Sequence, residues 1–211
     1  MPRLRLRNFE RRMKKRRLSQ LDWVKGGLDA LVEGGIEAVR IDTLAEKLGV
    51  TKGSFYHHFE SRDDLLDAIA SDWGDNELEA VAEEVSALPG DPKMRMQLVV
   101  GIYERRDLAR YDRAMRAWAH SDPRAEKAVR KASDLLERLF LQLFDEMGFD
   151  ERQSKLRARI VMLCGIGAMF ALELPRREDD AQDMREQFFE LLTAGREQDL
   201  LSAAASAAGV L

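Results

Sequence analysis

The chain has 211 residues, enough to bury a substantial core in one domain or two. Hydrophobic residues make up 45% and charged residues 34%, as in a soluble globular protein, and a single cysteine, Cys164, excludes an intramolecular disulfide framework and fits a reducing compartment. The formal net charge of −4 hides an asymmetry: residues 1–18 hold nine Arg or Lys against one Glu, a local +8, so the other 193 residues carry −12.

That basic arm on an acidic body suits attachment to a polyanion, although a solubilising tail would have the same composition. Charges within "LSQLDWVKGG" interrupt any apolar signal-peptide core, so a cytoplasmic protein is expected. After the arm, Ser19 and Asp22 have capping-box spacing, and Leu21, Val24, Leu28, Leu31 and Val32 follow at helical intervals. A first helix over 19–33 is predicted, stopped by Gly34-Gly35. A second fits 42–48 and a third 52–59, capped by Thr51. Ser61 with Asp64 is another capping-box match, opening a fourth helix that runs toward Leu88 through Gly74.

Farther on, Pro92 sits in the first turn of a helix. Breaks are predicted at Asp107, 121–123, 148–150 and Pro175, with long helices over 124–147 and 151–174 and another near 180–195. The longest uncharged apolar run, 160–172, has thirteen residues, short of the roughly 20 that span a bilayer, so no membrane segment is expected. Strand-like alternation is missing on the scale a sheet needs, so the fold class is all-α. The predicted organisation is a basic arm (1–18), a three-helix head with a helix-turn-helix (19–66), a larger helical ligand-binding and dimerisation domain (67–199) and an Ala-rich tail (200–211).

The stretch "LAEKLGVTKGSFYHHF", 44–59, carries the chemistry. Two short helices meet at "GVT": Gly49 takes the backbone angle that ends a helix, Val50 plugs the corner and Thr51 starts the next helix. Phe55 and Phe59, four apart, point into the core. Gly53, Ser54 and His57 then fall on the opposite face, with Tyr56 on its flank, free to meet a major groove. Gly53 lets the helix approach closely, Ser54 reaches a base edge and Lys52 pairs with guanine. Tyr56 offers its hydroxyl to a phosphate, and His57 can touch either a base or a phosphate. Backbone amides at 51–54 point toward a phosphate, and Arg62 can clamp the same strand. Periodicity alone equally fits a plain helical hairpin with a decorated surface.

Residues 19–66 resemble the DNA-binding domain of the tetracycline-repressor (TetR) family. "GGIEAVRIDTLAEKLGVTKGSFYHHFESRDDLL" matches it in sequence and in the spacing of Gly35, Ile41, Leu44, Ala45, Gly49, Val50, Gly53, Tyr56, Phe59 and Leu65. The resemblance implies Lys52, Gly53, Ser54 and His57 as the base-reading surface. It implies Thr51 and Tyr56 as phosphate contacts, and Arg62 in place of a usual lysine that touches the backbone; Arg40 and Thr43 complete the candidate phosphate set. It further implies a bacterial or archaeal homodimer that represses a palindromic operator, works at the nucleoid, and releases DNA when a small molecule binds. One position departs: Val39-Arg40 stands where the family has a hydroxyl cap, leaving either Asp42 to cap a shifted helix or Arg40 to trade cap strength for a phosphate contact.

With that resemblance the arm becomes a candidate DNA arm, through Arg11, Arg12, Lys14, Lys15, Arg16 and Arg17. Deleting residues 1–17 is expected to weaken specific and nonspecific binding together. The slope of log affinity against log salt should fall by roughly 0.9 for each phosphate that the arm no longer neutralises, and an unchanged slope in salt-titrated anisotropy would refute the role.

The segment after the head resembles the family's variable domain more weakly. The run 160–172 is apolar on every side, too much for one internal face, so Ile160, Leu163, Gly167 and Phe170 are expected to meet Phe188 and Leu192 in a two-fold four-helix homodimer interface. Tyr103, Tyr111, Met115, Trp118, Phe140, Phe144, Met162 and Met169 are candidates to line a pocket for an apolar or aromatic effector, although ordinary core packing explains each singly. Arg110 and Arg113 could meet an acidic head group. No catalytic residue, metal site or cofactor is expected, because His57, His58 and His120 have no ligand at metal-site spacing and no phosphate-binding glycine loop occurs. The rival reading is a dimeric helical ligand- or protein-binding module without operator recognition.

Overall fold

The computed structural model describes residues 18–170 and 178–195, and no strand occurs among them. The arm cations Arg11, Arg12, Lys14, Lys15, Arg16 and Arg17, the break at Pro175 and the Ala-rich tail lie outside the described residues. Helix α1 (Gln20–Gly34) opens on the expected capping box: the Asp22 amide donates to Ser19 Oγ at 3.2 Å and the Ser19 amide to Asp22 Oδ2 at 2.7 Å. It ends where the Gly35 amide donates back to the Leu31 carbonyl.

A single 3-10 turn, Ile36–Ala38, leads into α2 (Ile41–Lys47). Arg40 occupies the N-cap in extended conformation with no side-chain cap, and Asp42 sits inside the first turn, so the shifted start does not occur. Gly49, at φ +68°, turns the chain, and the Val50 amide closes the corner onto the Ala45 carbonyl at 2.9 Å. Helix α3 (Lys52–Phe55) is shorter than the predicted 52–59 and continues as a turn, with the His58 and Phe59 amides both bonded to the Phe55 carbonyl. Thr51 holds the N-cap position, but its hydroxyl caps nothing, because the Ser54 amide bonds the Thr51 carbonyl instead.

Helix α4 (Arg62–Ser71) opens on the second expected capping box, Ser61 with Asp64. The helix expected to run on toward Leu88 continues in helical turns as far as Ser86, but changes pitch around Gly74. The chain widens into a π-helical turn, Asp72–Glu77, before α5 (Leu78–Ser86). Gly74 faces α8 (Pro123–Glu146) there, and a Cβ would stand 3.1 Å from the Ala128 Cα, so a side chain at this place would push the two backbones apart by a few tenths of an ångström.

Helices α6 (Pro92–Arg105) and α7 (Leu108–Ala119) follow, separated by Asp107 in the left-handed region, and α8 begins at an Asp122 cap. The α8 helix is central, touching α4 to α7, the π-turn and α9 (Glu151–Phe170). Helix α10 (Glu178–Thr193) lies against α6. The division at 66/67 falls inside α4, and one buried cluster runs from Trp23 in the head to Leu192 at the far end.

Candidate nucleic-acid interface

Phe55 and Phe59 fix the phase of α3. Both are buried, their rings stack at 5.4 Å, and the Trp23 ring meets Phe55 edge-on at 5.2 Å. With the phenylalanines pinned to α1, Lys52, Gly53 and His57 are exposed, Ser54 is half-buried and Tyr56 is 59% exposed. A Cβ at Gly53 would meet nothing nearer than Thr51 Oγ1, at an ordinary 3.6 Å. Its φ is not positive either, so neither packing nor backbone angle demands glycine at this place.

The flanking cations differ in commitment. Lys52 pairs with Asp42 at 2.6 Å, though both side chains remain exposed, and exposed pairs of this kind are worth at most about 1 kcal/mol, little obstacle to a phosphate or base. Thr51 and Arg40 are exposed and Thr43 is half-buried. Arg62 is turned into the head: Nε donates to the Val39 carbonyl and Nη2 to the Ile36 carbonyl, each at 2.6 Å. It ties down the turn ahead of α2, a task no local pattern in the sequence signals, since its partners lie 23 and 26 residues away.

Two polar ties between head and larger domain were also silent in the sequence. The Tyr111 hydroxyl donates to Asp29 at 2.7 Å and accepts from Arg110 at 2.6 Å. Burial first, and then Asp29, push the Tyr111 phenol above its usual range. Arg124 reaches Asp63 and Asp67 on α4 while holding Asp122 at 2.9 Å, and its guanidinium keeps the Asp122 carboxyl below the usual carboxylate range.

Within the larger domain, Met115, Trp118, Phe140 and Phe144 are buried, and Tyr103, Tyr111, Met162 and Met169 are half-buried. Phe144 packs edge-on against Phe149 at 5.9 Å. Trp118 borders a cleft between α1 and α7. On α9, Leu156, Leu163 and Phe170 are 62%, 61% and 47% exposed, Gly167 is exposed and Ile160 is half-buried. On α10, Leu191 is 72% exposed and Phe188 half-buried, while Leu192 faces inward with Phe189. No helix among the described residues is long and apolar enough to cross a membrane, and no group of metal-binding side chains occurs among them.

Asp112 is buried on α7. Arg116 Nε donates to its Oδ2 at 3.1 Å, but Oδ1 has no donor among the described residues, and burial pushes its carboxyl up. A native value above the ordinary 3.8 means that this site's stability is fully present below that value and is lost as pH rises through the raised one. The non-titrating Asp112→Asn variant escapes that loss. Its melting temperature minus that of the wild type is therefore expected to rise from about pH 4 to about pH 7, and a flat or falling difference would contradict this reading.

Two short helices joined at a glycine turn, the second bare and polar outside and aromatic inside, define a helix-turn-helix DNA-binding fold on a larger helical domain. Residues 24–69 match the family model described as bacterial regulatory proteins, tetR family. The HTH-type transcriptional regulator BetI of Klebsiella pneumoniae (strain 342) is 35% identical over 75 residues, which span 35% of this chain and 38% of that one. Among solved structures, a transcriptional regulator from Rhodococcus sp. Rha1 has a TM-score of 0.64 at 17% identity, covering 86% of this chain and 97% of its own. FadR from Bacillus subtilis, in complex with stearoyl-CoA, has a TM-score of 0.56 at 15% identity, covering 84% and 99%. At such identities the structural likeness is one of fold. The sequence likeness to the tetR family is therefore confined to residues 24–69, and the described chain shares the all-helical fold of those regulators, a helix-turn-helix head on a larger helical domain.

Proposed function

We propose that the protein is a sequence-specific double-stranded DNA-binding transcriptional regulator, a repressor that holds a palindromic operator as a homodimer and leaves it when a small molecule binds the larger domain. The observation that carries the reading is Gly53. A glycine inside a helical turn costs roughly 0.5–1 kcal/mol relative to alanine, and here no neighbour and no backbone angle requires it. The remaining reason is an external surface that must come close. A duplex groove is such a surface, and Lys52, Ser54 and His57 around Gly53 are groups that read base edges there. Thr51 and Tyr56 would hold the flanking phosphates, with Arg40 and Thr43 at the start of α2 extending that set. Arg62 would act by fixing the turn that carries Arg40.

The homodimer reading is supported by a single stripe. Leu156, Ile160, Leu163, Gly167 and Phe170 recur every three or four residues along α9, and Met184, Phe188 and Leu191 do so along α10. Such a run of exposed and half-buried apolar residues on two helices marks an association surface, and two copies related by a two-fold axis would cover it. A small-molecule effector is supported by the large helical domain beyond the head, and a protein of the same fold, FadR, is seen with stearoyl-CoA. An apolar or aromatic effector among Tyr103, Tyr111, Met115, Trp118, Phe140, Phe144, Met162 and Met169 would require those packed side chains to part.

Selection of duplexes from a random pool by the purified protein tests the function. The expected result is an enriched palindrome whose half-sites lie about 34–36 Å apart, one helical turn. Uniform recovery of all sequences would leave the rival reading, a helical binding module without operator recognition.

A further inference from the structure

The head and the larger domain do not close completely on each other. Between α1 and α7 lies a half-open cleft of about 350 Å³, and a second of about 390 Å³ lies on the other side of Arg110, which lines both. The first has an apolar bed formed by Leu31, Val32 and Ile36 of the head and by Ala117 and Trp118 of α7. Arg110 and Arg113 stand on it. This volume falls at the small end of the range for ligand sites, roughly 300–1,000 Å³.

The two arginines are not equivalent. On α7, Arg110 meets Asp29 at 3.5 Å and Asp107 at 3.0 Å, and Arg116 meets Asp112 at 3.1 Å. Arg113, between them in sequence, has no carboxylate partner among the described residues. Its one hydrogen bond among the described residues is a long contact from Nη1 to the Met169 carbonyl at 3.4 Å. An exposed arginine without a carboxylate partner is ordinary; one beside a second arginine over an apolar bed has the geometry to hold a planar anion with a hydrophobic body.

We propose that this cleft binds a small amphipathic carboxylate, whose anionic end competes with Asp29 for Arg110 and so couples occupancy to the seating of the head. The carboxylate lies between Arg113 and Arg110, and its apolar body covers Leu31, Val32 and Ile36 on one wall and Ala117 and Trp118 on the other. The walls belong to the head and to the larger domain, so the ligand's affinity depends on their spacing, which lets binding shift that spacing. Drawing Arg110 toward the ligand weakens its hold on Asp29 and Tyr111, the tie between α1 and α7. The Ile36 carbonyl in the same wall is held by Arg62, so the strain reaches the turn that carries α2 and α3. The consequence for DNA rests on the proposed function; binding in the cleft does not.

Calorimetry on the full chain without DNA separates the two. The probes are octanoate and phenylbutyrate, with octanamide and phenylbutyramide as uncharged controls. Both acids are expected to bind the wild type, with the amides about tenfold weaker or more. Arg113→Gln should weaken the acids by about tenfold and leave the amides unchanged. Asp29→Asn removes the competitor and should tighten the acids by about threefold or more. Ala117→Glu, at an exposed position, places a like charge and bulk in the cleft and should abolish binding even if the arginine variants fold poorly. Failure of both acids to bind at millimolar concentration, equal affinity of acids and amides, or indifference to Ala117→Glu would overturn the site while leaving operator recognition untouched.

Discussion

Replacing Gly53 with leucine is expected to lower operator affinity by about a hundredfold or more, roughly 3 kcal/mol, while leaving the head at least as stable as before. The two halves of that result have separate physical origins. Gly53 pays the conformational cost of glycine in a helical turn, and a Cβ there meets only Thr51 Oγ1 at 3.6 Å. Alanine at this position should therefore stabilise the protein by roughly 0.5–1 kcal/mol, read from thermal or urea unfolding. On DNA, the leucine branch occupies the space through which α3 approaches the base edges. It would hold Lys52, Ser54 and His57 away from all their partners together. A packing role for Gly53 predicts the reverse, with stability reduced and DNA binding falling only in proportion. The combination of undiminished stability and strongly weakened binding distinguishes a glycine kept for an external surface from one kept for an internal contact.

Glutamate at both Leu163 and Leu191 is expected to convert the protein from a dimer to a monomer at micromolar concentration. In the single subunit these side chains are 61% and 72% exposed, so the changes spare the subunit's own core. In a two-fold four-helix interface they would instead place four uncompensated carboxylates against apolar partners, each costing several kcal/mol. Analytical ultracentrifugation should show the species of twice the chain mass replaced by one of chain mass, with the helical circular dichroism retained. Operator affinity should fall with it, by about a hundredfold or more, because two half-sites are then no longer held by one linked pair of heads. Persistence of the dimer would mean that the stripe on α9 and α10 is not the surface through which two copies meet.

Local chemistry was legible in the sequence and distant packing was not. Both capping boxes, Ser19 with Asp22 and Ser61 with Asp64, formed as read, because each involves residues three apart. The burial of Phe55 and Phe59 followed from their spacing, and with it the outward phase of Gly53 and His57. The π-turn at 72–77 was not legible beyond a weak point at Gly74, since it accompanies an approach of α8 at Ala128, far along the chain. Thr51 shows the limit even of local signals: a good capping residue stands at the cap, but in so short a helix the Ser54 amide bonds the carbonyl and leaves the hydroxyl out. At the candidate interface the sequence placed Lys52, Gly53, Tyr56 and His57 on the exposed side, but it showed neither the half-burial of Ser54 nor how firmly the cations were already engaged. Neither the turn-binding role of Arg62 nor the Asp29–Tyr111–Arg110 tie has a short-range signature, because their partners are more than twenty residues away or on another helix.

The exposed side of α3 as the reader of duplex sequence is tested most directly by repeating the binding-site selection with His57→Ala beside the wild type. The account predicts that both proteins enrich the same palindrome and that the variant loses base preference at one position in each half, keeping the others. An identical consensus from the two proteins, or none from the wild type, would contradict it.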